Sequence, residues 1–212
     1  MAIQEIYDAV MEYDDTRVVE LINQELDAGT DVKTILDEGM IAAMDMIGKQ
    51  FSGGTLFVPE MLMAAEAVQA GLDVLRPHLV GTGTKPAGTV VLGTVRGDLH
   101  DIGKNLVGLM LEGGGFRVVD LGVDVDAETF ITTAQENDAD IIALSSLLTT
   151  SMPEMEKAVA AISEANENRN LNIKVMVGGP PINQNYADKI GAHGYGLDAP
   201  GAVALARTLV GD

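Results

Sequence analysis

At 212 residues, 47% of them hydrophobic, the chain carries enough apolar material for one large domain or two small ones, which argues against wholesale disorder. Thirteen basic against 32 acidic residues leave a net charge of −19, which repels phosphate backbones and anionic lipid, so neither nucleic acid nor a membrane surface is an expected partner. The absence of cysteine excludes disulfides, zinc–thiolate sites, iron–sulfur clusters and thiol catalysis, and the three histidines, His78, His100 and His193, lie too far apart in sequence to read as a multi-histidine cage.

The acidic residues are spread along the chain and read first as a solvated surface, with docking onto basic protein partners left open. No apolar run approaches the roughly 18 residues of a membrane span, and the start of the chain has neither the basic opening nor the apolar core of a signal peptide. A cytoplasmic protein is expected.

From residue 3 to 79 apolar residues recur at helical spacing. Ile3, Ile6, Tyr7 and Val10 form one stripe, and Val18, Val19, Ile22 and Leu26 form a second. Gly29 to Asp31 stops that helix and caps the next, which carries Ile35, Leu36, Met40, Met44 and Ile47. A fourth helix opens at Val58 and Pro59, with proline in its first turn, and continues to about Leu79. These segments predict a helical bundle over residues 1–80.

Residues 81–88 break the periodicity with glycine, threonine and proline and read as an interdomain linker. Gly81 to Lys85 superficially resembles a phosphate loop. The full spacing is absent and no strand precedes it, so the linker reading stands.

From Thr89 onward short apolar runs alternate with helical segments. Strands are predicted at Thr89–Val95, Arg117–Leu121, Ile141–Leu144 and Ile173–Val177, with a short fifth near Gly194–Leu197. Helices are expected near 103–112, 127–137, 153–168, 182–190 and 200–209. The alternation predicts an α/β domain over 89–212: a Rossmann-like, flavodoxin-like sheet of five parallel strands in the order 2-1-3-4-5, with helices on both faces.

In such a sheet the loops after the strands meet at one edge, where ligands bind. That edge collects Arg96 to Gly103, Gly122, Ser145 to Thr150, and Gly178, Gly179 and Pro180. Asp98 and His100, two residues apart in an extended loop, present their side chains to the same side. A hydrogen bond between them fixes the imidazole tautomer and leaves the other ring nitrogen available to a metal. A lone loop histidine is usually only solvated or hydrogen-bonded; Asp98, Gly103 and Ser145 beside it favour a ligand-binding role. Asp101 reads first as a cap for the following helix, and Ser145 or Ser146 as a cap for the next segment. Gly113 to Gly115 ends a helix, and Gly178 with Gly179 also reads as a tight strand-to-helix turn.

Together, Asp98-x-His100-x-x-Gly103, Ser145-x-Leu147 and Gly178-Gly179 resemble the corrinoid-binding family, most closely the cobalamin module of methionine synthase and the small corrinoid proteins of methyltransferase systems. Gly97 to Asn105, Leu144 to Thr149, and Phe57 to Glu60 in the helical half extend the likeness over essentially the whole chain. The resemblance implies a cobalamin or related corrinoid held base-off, with His100 as lower axial cobalt ligand and Asp98 as its partner. It also implies a nucleotide tail threaded past Gly103, Ser145, Leu147, Thr149, Gly178 and Gly179, with Asp101 in the same loop. Phe57 corresponds to an aromatic cap over the upper face and Met61, one turn on, to its neighbour, although both also fit a bundle core. The 81–88 linker then serves as the hinge that swings the cap aside.

The implied activity is carriage of a methyl group on cobalt, between Co(I) and methyl-Co(III), from a substrate-specific methyltransferase to a methylcorrinoid:acceptor methyltransferase, with a reductive activation protein as a third partner. Methanol, methylamines, betaines and methoxylated aromatics are all possible donors under this resemblance, and tetrahydrofolate or a thiol possible acceptors. The small subunit of an adenosylcobalamin-dependent mutase shares the three-part motif but does not typically carry this helical cap. A sensing regulator lacks its DNA-binding module here. A phosphoacceptor signalling domain requires an aspartate where Ser145 ends the third strand.

Overall fold

Helix boundaries in the first part of the chain follow from short capping side chains. In the computed structural model, which describes residues 2–79 and 86–211, the Asp14 carboxylate accepts the Arg17 amide to open α2 (Asp15–Asp27). Asp31 does the same for Thr34 at the start of α3 (Val32–Thr34), after Gly29 has turned the chain at φ +81°. These two helices follow α1 (Ala2–Met11), and α4 (Ala42–Ser52) and α5 (Val58–Leu79) complete the bundle. The predicted stripes are its core: Ile6, Val10, Val18, Ile22, Ile35, Met40, Met44 and Ile47 are all buried.

One local feature departs from the periodicity. The single helix expected from Val32 is α-helical only at its ends, because Ile35–Ile41 forms a π-helical stretch between α3 and α4. Gly39 lies in this stretch, where an added Cβ would stand 3.0 Å from Ile6 Cγ2. The widened turn brings backbone against α1, and no hydropathy pattern encodes an inserted residue of that kind.

The second part alternates β1 (Thr89–Thr94), α6 (Ile102–Gly113), β2 (Arg117–Asp120), α7 (Ala127–Glu136), β3 (Ile141–Ser145), α8 (Met152–Arg169), β4 (Lys174–Gly178), α9 (Gln184–Ile190), β5 (Gly194–Gly196) and α10 (Ala199–Gly211). All strands are parallel, in the order β2-β1-β3-β4-β5, as expected. Every residue of β1 is buried, and in β3 only Ser145 is partly open, so both faces of the central strands are covered. Pairing runs to the ends of the strands, with Thr94 beside Ser145 and Ser145 beside Gly178. This register brings the β1, β3 and β4 loops to one edge.

The chain divides into two compact units, Met1–Pro86 with Leu109–Gly115, and Ala87–Gly108 with Phe116–Asp212. Residues 80–85, which include 81–85 of the predicted 81–88 hinge, lie outside the described residues. Among the described residues no helix is long and apolar enough to cross a membrane.

Candidate functional site

The β1 loop turns at Gly97, which is left-handed, and the side chain of Asp98 that follows is completely buried. Each carboxylate oxygen has its own set of donors. Oδ1 accepts from His100 Nδ1 at 2.7 Å and from the His100 amide at 3.1 Å. Oδ2 accepts from the amides of Leu147 at 2.7 Å and Leu148 at 3.2 Å, and from Ser151 Oγ at 2.9 Å. Burial alone raises the pKa of this carboxyl. The bonds from the His100 ring, the Leu147 amide, the His100 amide and the Ser151 hydroxyl outweigh it and hold the group well below the ordinary carboxylate range.

An ionised carboxylate only accepts, which assigns the proton on each partner. His100 Nδ1 is the protonated ring nitrogen, so the lone pair lies on Nε2. Ser151 Oγ donates to Asp98 and accepts from the buried Ser146 hydroxyl at 2.8 Å. The His100 side chain is 51% exposed and its Nε2 has no partner among the described residues. Thr94 Oγ1 donates to the His100 carbonyl at 2.9 Å.

Exposed apolar residues lie in the loops at the same end of the sheet. The large exposed hydrophobic residues described in the α/β unit are Leu99, Ile102, Leu147, Leu148 and Leu197, and all lie after β1, β3 or β5. Ile102 is 83% exposed and Leu197 77%, which is costly for a surface that stays in water and suits one that a flat apolar ligand covers. No group of three or more His, Cys, Asp or Glu side chains among the described residues is arranged to hold a metal ion. A metal taken by His100 therefore has to bring most of its coordination shell with it.

Comparison with known proteins shows the family. A B12 binding domain model matches residues 88–204, and a second B12 binding domain model matches residues 2–76. The chain belongs to the B12-binding family. It is 42% identical over 202 residues to trimethylamine corrinoid protein 1 of Methanosarcina mazei, covering 94% of this chain and 93% of that one. Identity with a corrinoid protein of Desulfitobacterium hafniense is 38%, over 99% and 97% of the two chains. Among solved structures, the methanol:cobalamin methyltransferase complex of Methanosarcina barkeri matches with a TM-score of 0.84 at 29% identity, over 99% of this chain and 80% of that one. A cobalamin-binding protein from Desulfitobacterium hafniense matches with a TM-score of 0.79 at 28% identity, over 98% of each.

The glycines of this B12-binding chain divide by what surrounds them. Gly179 sits at φ +129°, and a Cβ there would lie 1.9 Å from the Ser146 carbonyl oxygen, so the turn after β4 needs glycine to let the β3 loop pass. Gly178 ends β4, where a Cβ would lie 3.3 Å from the Gly196 carbonyl. Gly103 has the opposite character. It lies in the first turn of α6 with ordinary φ, and beyond its chain neighbours and its own helix backbone none of the described residues comes within 4 Å of where its Cβ would be. No intramolecular contact requires glycine at that position. The space is free for a group the protein does not itself supply.

Other expected site residues are placed as follows. Asp101 opens α6 through its backbone carbonyl, which accepts the Asn105 amide at 2.7 Å. Ser145 closes β3 and its carbonyl accepts the Val95 amide at 3.0 Å, while Thr149 lies exposed in the turn beyond. Leu147 contributes its amide to Asp98 and leaves its side chain 39% exposed. In the helical unit Phe57 is 66% exposed, with its amide donating to Glu60 Oε2, whereas Met61 is fully buried in the bundle.

Several participants were not singled out from sequence. Ser151 touches Asp98 from 53 positions away; its place before Met152 and Pro153 reads as an ordinary helix start, which hides the second role. Thr94 reads as a strand residue. Lys104 has its side chain 1% exposed and pairs with Asp120 at the end of β2, tying α6 to the sheet edge beside the motif. Its proximity to Gly103 in the motif was the only available signal.

Proposed function

We propose that this chain is a corrinoid methyl carrier in which His100 Nε2 is the lower ligand to cobalt and the corrinoid's own base is displaced. The observation that carries the reading is the orientation of His100: Nδ1 is committed to a buried carboxylate, Nε2 has no partner among the described residues, and the ring is half-exposed at the end of the sheet where the loops carry exposed apolar residues. When bound, the corrinoid supplies a cobalt centre that accepts and releases a methyl group. The protein's residues do the rest. Asp98 holds the tautomer and orientation of the imidazole, Ser151 and the Leu147 and Leu148 amides hold Asp98, and Leu99, Ile102, Leu147, Leu148 and Leu197 receive the apolar ring edge.

The open space at Gly103 receives the nucleotide tail, together with the Ser145, Leu147, Thr149, Gly178 and Gly179 segments and the Asp101 loop. Of the two cap residues, Phe57 keeps its ring available for the upper face, whereas Met61 is occupied by bundle packing. The described residues form a helical bundle and an open five-stranded sheet and include no substrate-binding barrel; the partners of this carrier are a substrate-specific methyltransferase and a methylcorrinoid:acceptor methyltransferase, with a reductive activation protein to restore the reduced state. Relatives named for trimethylamine support a methylated amine as the donor.

The test uses protein labelled with 15N-histidine, reconstituted with hydroxocobalamin and reduced to the Co(II) state. A histidine nitrogen on cobalt splits the electron paramagnetic resonance signal into doublets, whereas the corrinoid's own 14N base gives triplets. Doublets that vanish in His100→Ala are expected. Triplets in the wild-type protein would overturn the assignment of the ligand.

A further inference from the structure

The carboxylate of Asp98 is held by the β3 loop, but its backbone is held by a different residue. Asp124, in the loop after β2, accepts the Gly97 amide on Oδ1 at 2.7 Å and donates its own amide to the Asp98 carbonyl at 3.1 Å. One residue therefore grips both ends of the Gly97–Asp98 pair. To do so it adopts φ +57°, a left-handed conformation that non-glycine residues other than Asn and Asp rarely occupy.

Neighbouring contacts make this grip directional. The isolated bridge between Val95 and Val125, with the Val125 amide donating to the Thr94 carbonyl at 3.0 Å, brings the β1 and β2 loops side by side immediately before Gly97. Gly97 itself is left-handed at φ +81°, so the loop has a glycine pivot at the point where Asp124 seizes it. Without the carboxylate, the Gly97 amide loses this acceptor and the pivot is free to turn. Asp98 would then keep its side-chain bonds, its own amide on the Val95 carbonyl and the residue-124 amide on its carbonyl, but the peptide before it would no longer be fixed, and the imidazole it orients would sample more than one direction.

We infer that Asp124 is a positioning residue for the cobalt ligand, acting through the backbone of Asp98. The inference rests on the reading of His100 as that ligand. Because a negatively charged acceptor strengthens a hydrogen bond, the clamp is effective even at an exposed position. Asp124→Gly isolates the role, since glycine adopts the left-handed conformation freely and keeps the amide that reaches Asp98, yet has no acceptor for Gly97. Asp124→Asn tolerates the same backbone and keeps an acceptor oxygen.

The measurement is the 15N-histidine splitting of the Co(II) state in the full chain reconstituted with hydroxocobalamin. In Asp124→Gly the ratio of histidine-ligated to unligated cobalt falls about tenfold, as expected for loss of one charged hydrogen bond. Asp124→Asn recovers most of it. Amide exchange in the protein without corrinoid reads the clamp independently: Gly97 loses protection in Asp124→Gly while the β3 amides keep theirs.

Full doublets in Asp124→Gly, or unchanged Gly97 protection, overturn the inference, as does an asparagine variant no better than glycine. If doublets persist in His100→Ala, the ligand assignment has failed instead, and the two failures are distinguished within one set of samples.

Discussion

Replacing Asp98 by asparagine removes one charge and almost no volume, and its consequences can be worked from the donors around each oxygen. Turned one way, the amide NH2 faces the Leu147 and Leu148 amides, which have no alternative acceptor nearby, and Ser151, which does have one in the Leu148 carbonyl at 2.9 Å. Turned the other way, it faces the His100 amide and Nδ1. The second orientation costs less, because the imidazole can move its proton from Nδ1 to Nε2 and accept from the new NH2 group. Only the His100 amide then loses its acceptor, at about 1–3 kcal/mol, and the charged bonds on the other oxygen become neutral ones at about 1 kcal/mol more. Asp98→Asn is thus expected to destabilise the α/β unit by about 2–4 kcal/mol and to leave the ring in the tautomer whose lone pair points away from a ligand.

Two assays read these effects separately. Nitrogen shifts of labelled His100 at pH 8 report the tautomer, and amide exchange in β1 and β3 reports the stability of the α/β unit alone. The pH dependence has a definite sign. Because the native carboxyl titrates below its unfolded value of about 3.9, the stability it contributes is fully present above that value and is lost as the pH falls through the lower, native one. Asparagine does not titrate, so the part of the gap that this carboxylate's ionisation contributes is lost as the pH falls below about 4. A His100 ring that keeps its proton on Nδ1 in the variant, or a gap below about 1 kcal/mol, would refute the reasoning.

Gly103→Ala is expected to stabilise the corrinoid-free protein slightly, by less than about 1 kcal/mol, because the methyl enters open space and alanine favours the helix; the same variant should retain corrinoid more weakly, measured by dialysis after reconstitution. Gly179→Ala drives a methyl into the Ser146 carbonyl and should lose about 2–4 kcal/mol, with β3 and β4 exchange protection falling together; an unchanged melt contradicts the close approach. In the helical unit Met61→Ala should cost about 2–4 kcal/mol by urea denaturation, whereas Phe57→Ala should change stability by under about 0.5 kcal/mol and act, if at all, on the photolysis rate of the methylated protein.

The sequence by itself determined the elements and the local half of the site. Helical stripes in the first 80 residues, alternating strands and helices after Thr89, and a histidine two residues from an aspartate are short-range features, set by periodicity and by the reach of neighbouring side chains. Parallel strands then oblige the motif loops to share an edge, which is why the 2-1-3-4-5 sheet and the gathering of the β1, β3 and β4 loops were legible in advance. What only the tertiary structure decided are contacts between residues far apart in the chain. Ser151 and the Leu147 and Leu148 amides reach Asp98 across about fifty positions, and Asp124 reaches Gly97 across 27. Met61 and Phe57, one turn apart with similar hydropathy, end in opposite environments because burial depends on what packs against a helix face. Gly103 and Gly179 look alike in sequence as well; one faces open space and the other a carbonyl, a distinction that exists only once the backbone of a distant loop has a position.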